Sequence, residues 1–447
     1  MKPVTIMAVG VTVCAGVRTR ASCVMKPVTI MAVGVTDTRT DADEAQEAGV
    51  LPGEWDAAPP VAAPSSALPA APVLIQPERA AGPPLVKVRR FAFLDGLRAL
   101  SAHAIVWHHI AFYGPLSDIA YPLMPTLIEL LAEYGRMAVQ IFLVMGGFVA
   151  AQGLSRTVPA TLREMTQQAV KRYWRLAWPY LFVIGVAILA NAAASRFMTH
   201  ESIAAPPTLP QVVAHVFFLQ TLLGYESLSS GFWYLAIDLQ LSLFTLIACT
   251  LIGFIARRWG REDRTQTWAM ALFLPLAVAS LFWWNRDADH DIWAGYYFGS
   301  YFIGLTTGWS LTGRISYRWF AVMFAVVMLS LASDFRTRPA LALATGMIIA
   351  IAGVTGGLER WLRSPFMAYW GKLSYSLFLI HFPVCLVMNA VLGQLFADHP
   401  VLAAVGMVLA WLTSCAAAVV FHHLVEETHS WRPVRKVVSG RFSVVSG

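Results

Sequence analysis

Phe93-Leu-Asp95-Gly-Leu-Arg98-Ala-Leu-Ser101-Ala-His103-Ala-Ile-Val-Trp107-His108-His109 opens the apolar part of the chain and decides how the rest is understood. Nothing in this stretch breaks a helix, and eleven residues separate Arg98 from His109. At about 100° per residue that is about 1100°, three turns plus about 20°, so both side chains leave one face. The rise between them is about 16 Å, and His108 points about 80° away by the same count. A cation and a base inside an apolar helix are costly in lipid unless paired or hydrated, which makes such residues functional candidates. A helix of this kind belongs inside a membrane bundle, its polar stripe turned inward.

Composition supports the same class. Of 447 residues, 57% are hydrophobic and 13% charged, against about 25% charged in ordinary soluble proteins. A globule so poor in charge cannot cover its surface against water. The net charge of +7 suits positive loops against anionic lipid, and no nucleic-acid partner is expected. Cys14, Cys23, Cys249, Cys385 and Cys415 show no paired spacing, so neither a disulfide framework nor a metal site is expected.

From Phe91 onward the apolar runs approach the roughly 20 residues that span a bilayer. They predict ten helices, at about 96–114, 134–153, 174–194, 232–256, 267–285, 292–312, 317–333, 339–357, 372–396 and 400–425. Val212 to Tyr225 is too short to cross and is expected to be re-entrant or interfacial. From Lys87 on, the segment before the first helix, alternate loops and the carboxyl tail hold 22 Lys and Arg. The opposite loops hold five, namely Arg136, Arg196, Arg286, Arg336 and Arg338. That bias sets the orientation. The expected fold is an all-α polytopic membrane bundle of about ten transmembrane helices with both termini cytoplasmic.

Three regions are expected: a disordered cytoplasmic tail over 1–90, a membrane domain over 91–430 and a basic tail over 431–447. Met1 to Thr12 recurs letter for letter at Met25 to Thr36. A copy this short marks a duplication or a start site at Met25 or later rather than a structural repeat. The weak apolar run after Lys2 does not make a signal peptide. Between Leu51 and Leu85, 18 residues are Ala or Pro, the composition of an extended linker.

Within the spans, His109 is a base set deep in the protein. Burial disfavours the charged imidazolium and leaves a neutral ring able to accept a proton. The alternative is that Arg98 anchors the inner surface while His109 bonds a neighbouring helix. Lys171, Arg172 and Arg175 crowd the expected start of the third helix, where cations oppose the macrodipole; this points to an anionic ligand or to lipid headgroups. In the fourth helix Asp238 lies one turn from Tyr234. Its carboxylate is expected to orient a histidine, bind acceptor hydroxyls or serve packing. In the ninth, Ser374 and His381 share a face, and Pro383 is expected to bend the helix beside the histidine.

Taken in order, FLDGLRALSAHAIVWHH, YGRMAVQIFLVMGGF, KRYWRLAWPY, FWYLAIDLQLSLF and GKLSYSLFLIHFPV resemble the motifs of the acyltransferase-3 family of bacterial membrane acyltransferases. The resemblance covers nearly all of residues 91 to 430, and its Arg, ten residues, His signature falls on Arg98 and His109. Lys171 stands where the family has Arg, Asp238 where Glu is common, and Gln140 and Gly146 where Asp and Ser are frequent.

The resemblance implies an O-acyltransferase of the bacterial inner membrane. It would move an acyl group, commonly acetyl, from acyl-CoA to a hydroxyl of a glycan or small molecule. Acyl-CoA would be a co-substrate, with no permanently bound cofactor and no metal. His109, Arg98 and Asp238 are the expected catalytic residues. Arg98, Lys171, Arg172 and Arg175 would bind the donor, and Tyr234, Asp238, Ser374 and His381 the acceptor. The alternatives are a secondary transporter of an acylated metabolite or sugar, and a glycan-binding scaffold. A transporter favours matched broken helices in two halves, and no such symmetry is visible.

Overall fold

A computed structural model of the protein describes residues 91–428. The expectations for the amino-terminal tail and the basic carboxyl tail fall outside the described residues. Among these residues all regular structure is helical, with no strand. Ten helices of 17 to 33 residues dominate. They are α1 (Ala92–Phe112), α2 (Ala138–Arg156), α3 (Leu162–Ala194), α4 (Phe232–Arg258), α5 (Thr265–Phe282), α6 (Ala294–Leu311), α7 (Tyr317–Ser333), α8 (Thr337–Val354), α9 (Pro365–Leu395) and α10 (Pro400–Phe421). Each overlaps one expected segment.

Seven stretches, carrying α2, α3, α4, α5, α8, α9 and α10, are long and apolar enough to cross a membrane. The other three fall short for visible reasons. Asp95, Arg98 and three histidines dilute α1, and α7 has 17 residues. In α6, every residue from Tyr296 to Trp309 is buried. A helix enclosed by protein all round is under no demand from lipid to be as apolar as its neighbours.

The centre is held by close backbone approach. A methyl group at Gly147 of α2 would collide with the carbonyl of Tyr301, and one at Gly304 of α6 with the carbonyl of Val144. The spacing Gly304/Gly308 is a small-residue packing signal, and Gly308 lies against Ala151 and the Phe148 carbonyl of α2. Likewise Gly371 brings α9 against the Asp95 carbonyl of α1.

Two helix starts differ from expectation. Thr161 accepts the Glu164 N–H at 3.2 Å while Glu164 Oε2 accepts the Ala160 N–H at 2.8 Å, so α3 begins at Leu162. Such N-capping satisfies donors left free in a first turn. Lys171, Arg172 and Arg175 therefore lie between two and four turns inside the helix. The macrodipole acts within the first turn, so the expected electrostatic penalty at a helix end does not arise. Ser364, followed by Pro365, caps α9 at 3.1 Å and moves its start seven residues ahead of Lys372. Between α3 and α4, Val212 to Tyr225 forms no span. A helix over Leu209–Val216 with a Thr208/Gln211 capping box gives way to turns, where buried Phe218 takes φ 57°.

Candidate active site

His109 of α1 and His381 of α9 are both buried, and their rings meet at Nδ1 and Nε2, 2.6 Å apart. Ring centroids 4.9 Å apart with an interplanar angle of 0° describe, with that nitrogen contact, two rings lying edge to edge in one plane. One proton sits between two nitrogens, and its owner follows from the partners. His381 Nδ1 lies 3.0 Å from the Leu377 carbonyl oxygen. A carbonyl only accepts, so Nδ1 of His381 carries the hydrogen and its Nε2 accepts. His109 must then donate from Nδ1, which leaves the lone pair on its Nε2. That lone pair faces the Ser230 hydroxyl at 3.2 Å. Pro383, two residues beyond His381, withholds a backbone N–H from the Leu379 carbonyl within the same turn of α9.

Ser230 precedes Gly231, the N-cap residue of α4, which starts without a side-chain cap. Its neighbours are fixed from several sides. The Leu228 N–H donates to His215 Nε2 at 3.1 Å, and Asn191 Nδ2 donates to the Leu228 carbonyl at 3.4 Å. Gln211 Nε2 donates to the Glu226 carbonyl at 2.9 Å, and Gln220 Nε2 to the Phe232 carbonyl at 3.3 Å. His215 donates from Nδ1 to the Gln211 carbonyl at 2.8 Å, which assigns its Nε2 as acceptor by the same reasoning. Outside the spans, burial lowers the pKa of His215, opposed by its bond to that carbonyl. Leu228 and Ser229 are buried and Ser230 is half-buried.

Below the histidines, an aromatic cluster separates them from charge. Phe378 lies 6.2 Å from His381, 5.5 Å from Tyr234 and 6.1 Å from Phe142, centroid to centroid. One turn beyond Tyr234, Asp238 Oδ2 accepts from Arg172 Nη2 at 2.6 Å. Asp238 Oδ1 stands where a side chain at Gly146 would come within 3.0 Å. Arg98 pairs with Asp95 at 3.0 Å. Arg172 Nε is buried without a hydrogen-bond partner among the described residues, while Lys171 and Arg175 are exposed.

The residues expected from sequence thus fall into two groups. His109 and His381 meet at one level; Arg98, Arg172, Arg175 and Asp238 gather at another, with Tyr234 between them. Asp238 pairs with Arg172 rather than with either histidine, so the orienting partner of His109 is His381. The Ser374 hydroxyl donates to the Gly371 carbonyl at 2.9 Å within its own helix and does not join His381. His108, the neighbour turned away by helical geometry, stacks on Phe112 at 5.5 Å.

Sequence reasoning missed Ser230 and the residues bracing its loop. Ser-Gly immediately before an apolar helix was the available signal, because it places a small hydroxyl at a helix amino end.

A family model described as an acyltransferase domain matches residues 91–423. No curated protein and no solved structure matches the chain.

Proposed function

Because the chain belongs to the acyltransferase-3 family, we propose that it is a bacterial inner-membrane O-acyltransferase using acyl-CoA, with acetyl the commonest group. The acceptor is a hydroxyl of a glycan or small molecule, and His109 is the general base. Ten spans and cytoplasmic termini accompany this reading, which puts the basic stretch of α3 on the side where CoA thioesters are made.

One observation carries the proposal: His109 Nε2 presents its lone pair to a hydroxyl at 3.2 Å while Nδ1 is committed to His381. An alcohol is a weak nucleophile until a positioned base takes its proton, and such bases contribute about 10²–10⁴ in rate. In the reaction His109 Nε2 takes the acceptor's proton as its oxygen attacks the thioester carbonyl. The C–S bond then breaks, and the proton passes to the departing sulfur. His381 holds the ring in the required tautomer throughout. Arg98, Lys171, Arg172 and Arg175 attract the donor's phosphates, the buried Nε of Arg172 being a donor still to be satisfied. About 16 Å along α1 separates Arg98 from His109, a distance suited to an extended donor whose charged end and thioester lie far apart. Asp238 keeps the Arg172 guanidinium in position, and Tyr234 lies between the two levels.

The test is mass spectrometry of surface glycans and small-molecule extracts from cells with the gene, without it, and with His109→Ala. Acylation that requires the gene and vanishes with the folded His109→Ala protein is expected. Acylation unchanged by that substitution overturns the assignment of the base.

A further inference from the structure

Four features converge on Ser230, to which the reading above gives no chemical step. Its hydroxyl donates to His109 Nε2 at 3.2 Å, His109 donates to His381 at 2.6 Å, and His381 donates to a backbone carbonyl at 3.0 Å. A nucleophile, a base and a residue orienting the base make up the arrangement that activates serine hydroxyls on unrelated folds. Ser230 also stands one residue before the N-cap of a 27-residue helix that lacks a side-chain cap. First-turn N–H groups have no intrahelical acceptor, and backbone donors of this kind stabilise a developing oxyanion. Third, bonds from His215, Asn191, Gln211 and Gln220 brace the segment on both sides, as a positioned nucleophile requires. Fourth, Ser230 is half-buried while Leu228 and Ser229 are buried, so of these three residues Ser230 alone keeps accessible surface.

We infer that Ser230 is a transient acyl carrier, so that transfer proceeds through an acyl-serine in two half-reactions. The inference rests on the acyl-CoA reading and on His109 as base. In the first half, Ser230 Oγ attacks the thioester carbonyl carbon as His109 Nε2 takes the hydroxyl proton. The Oγ–C bond forms, the C–S bond breaks, and His109 delivers the proton to the sulfur, releasing CoA as a free thiol. In the second, the acceptor hydroxyl gives its proton to His109 and attacks the same carbonyl. The Oγ–C bond breaks and the proton returns to Ser230, leaving an ester on the acceptor and the enzyme unchanged. Donor and acceptor occupy one base in turn and need never be bound together.

Two readouts on the full-length protein in detergent need only acetyl-CoA and labelled CoA, with no acceptor. One is isotope exchange between labelled CoA and acetyl-CoA, which requires a reversible acyl-enzyme. The other is peptide mass spectrometry after acid quench. Exchange by the wild type is expected, together with the mass increment of one acetyl group on the peptide containing Ser230. Ser230→Ala should lose both, and Ser230→Cys, which retains a nucleophile, should keep both.

Absent exchange and absent adduct in the wild type, or an adduct on another residue, overturn the carrier. If the wild type then still acylates its cellular product in a His109-dependent way, only the carrier has failed, and Ser230 marks where the acceptor hydroxyl sits. If acylation is independent of His109, the base assignment fails as well.

Discussion

Replacing His381 by Ala tests the histidine pair directly. The His109 Nδ1–H loses the acceptor it has among the described residues, and a buried donor left unpaired costs about 1–3 kcal/mol. His109 escapes that cost by moving its hydrogen to Nε2, the nitrogen that must stay bare to act as a base. The substitution therefore removes most of the base's contribution, about 10²–10⁴ in kcat, or about 2.7–5.4 kcal/mol of barrier at about 1.36 kcal/mol per tenfold. KM for acetyl-CoA should barely move, because the cations lie about 16 Å away along α1. His381→Gln offers an amide oxygen to the same N–H and should recover much of the loss, which simple cavity formation would not allow. The assay is steady-state CoA release with purified protein, beside thermal unfolding in the same detergent. A folded His381→Ala protein with kcat within about twofold of wild type would refute the tautomer reasoning, since that change corresponds to only about 0.4 kcal/mol.

Arg172→Leu leaves the Asp238 carboxylate buried and unpaired and should destabilise the protein by about 3 kcal/mol; adding Asp238→Leu should recover part of that, as unfolding of the two variants would show. Gly304→Val drives a branched side chain into the backbone of α2, and a loss of about 3 kcal/mol, high in the range for overpacking, should appear as a lower unfolding temperature. His215 should make the Ser230 loop sensitive to pH. Its folded pKa lies below the ordinary 6.5, so its contribution is complete above 6.5 and declines as pH falls from there through the depressed value. Hydrogen exchange at the Leu228 amide should lose protection in that window, and His215→Phe, which cannot titrate, should abolish the pH-dependent change.

Helix positions were legible because hydrophobic runs of bilayer length seldom arise outside membrane helices, and ten long helices follow them. Helix starts were less so: α3 and α9 extend into polar sequence through the Thr161 and Ser364 caps, which a hydropathy run does not register. Within the site, the common face of Arg98 and His109 follows from helical periodicity alone. The meeting of His109 with His381 does not, because 272 positions separate them and no periodic rule spans that distance. Asp238 illustrates the same limit: its place one turn from Tyr234 in α4 was readable from spacing, whereas the choice between a histidine and Arg172 as partner depends on how α3 packs. Ser230 lies in a loop, where neither hydropathy nor periodicity marks a residue.

The interlock of Gly147 and Gly304 bears on how substrates reach the chemistry. A machine that alternates its opening between two compartments needs a cleavage plane along which its halves swing. Here main chain rests on main chain where α2 meets α6, like a riveted seam. A swing of that kind would have to carry these two helices together and part the bundle along some other boundary.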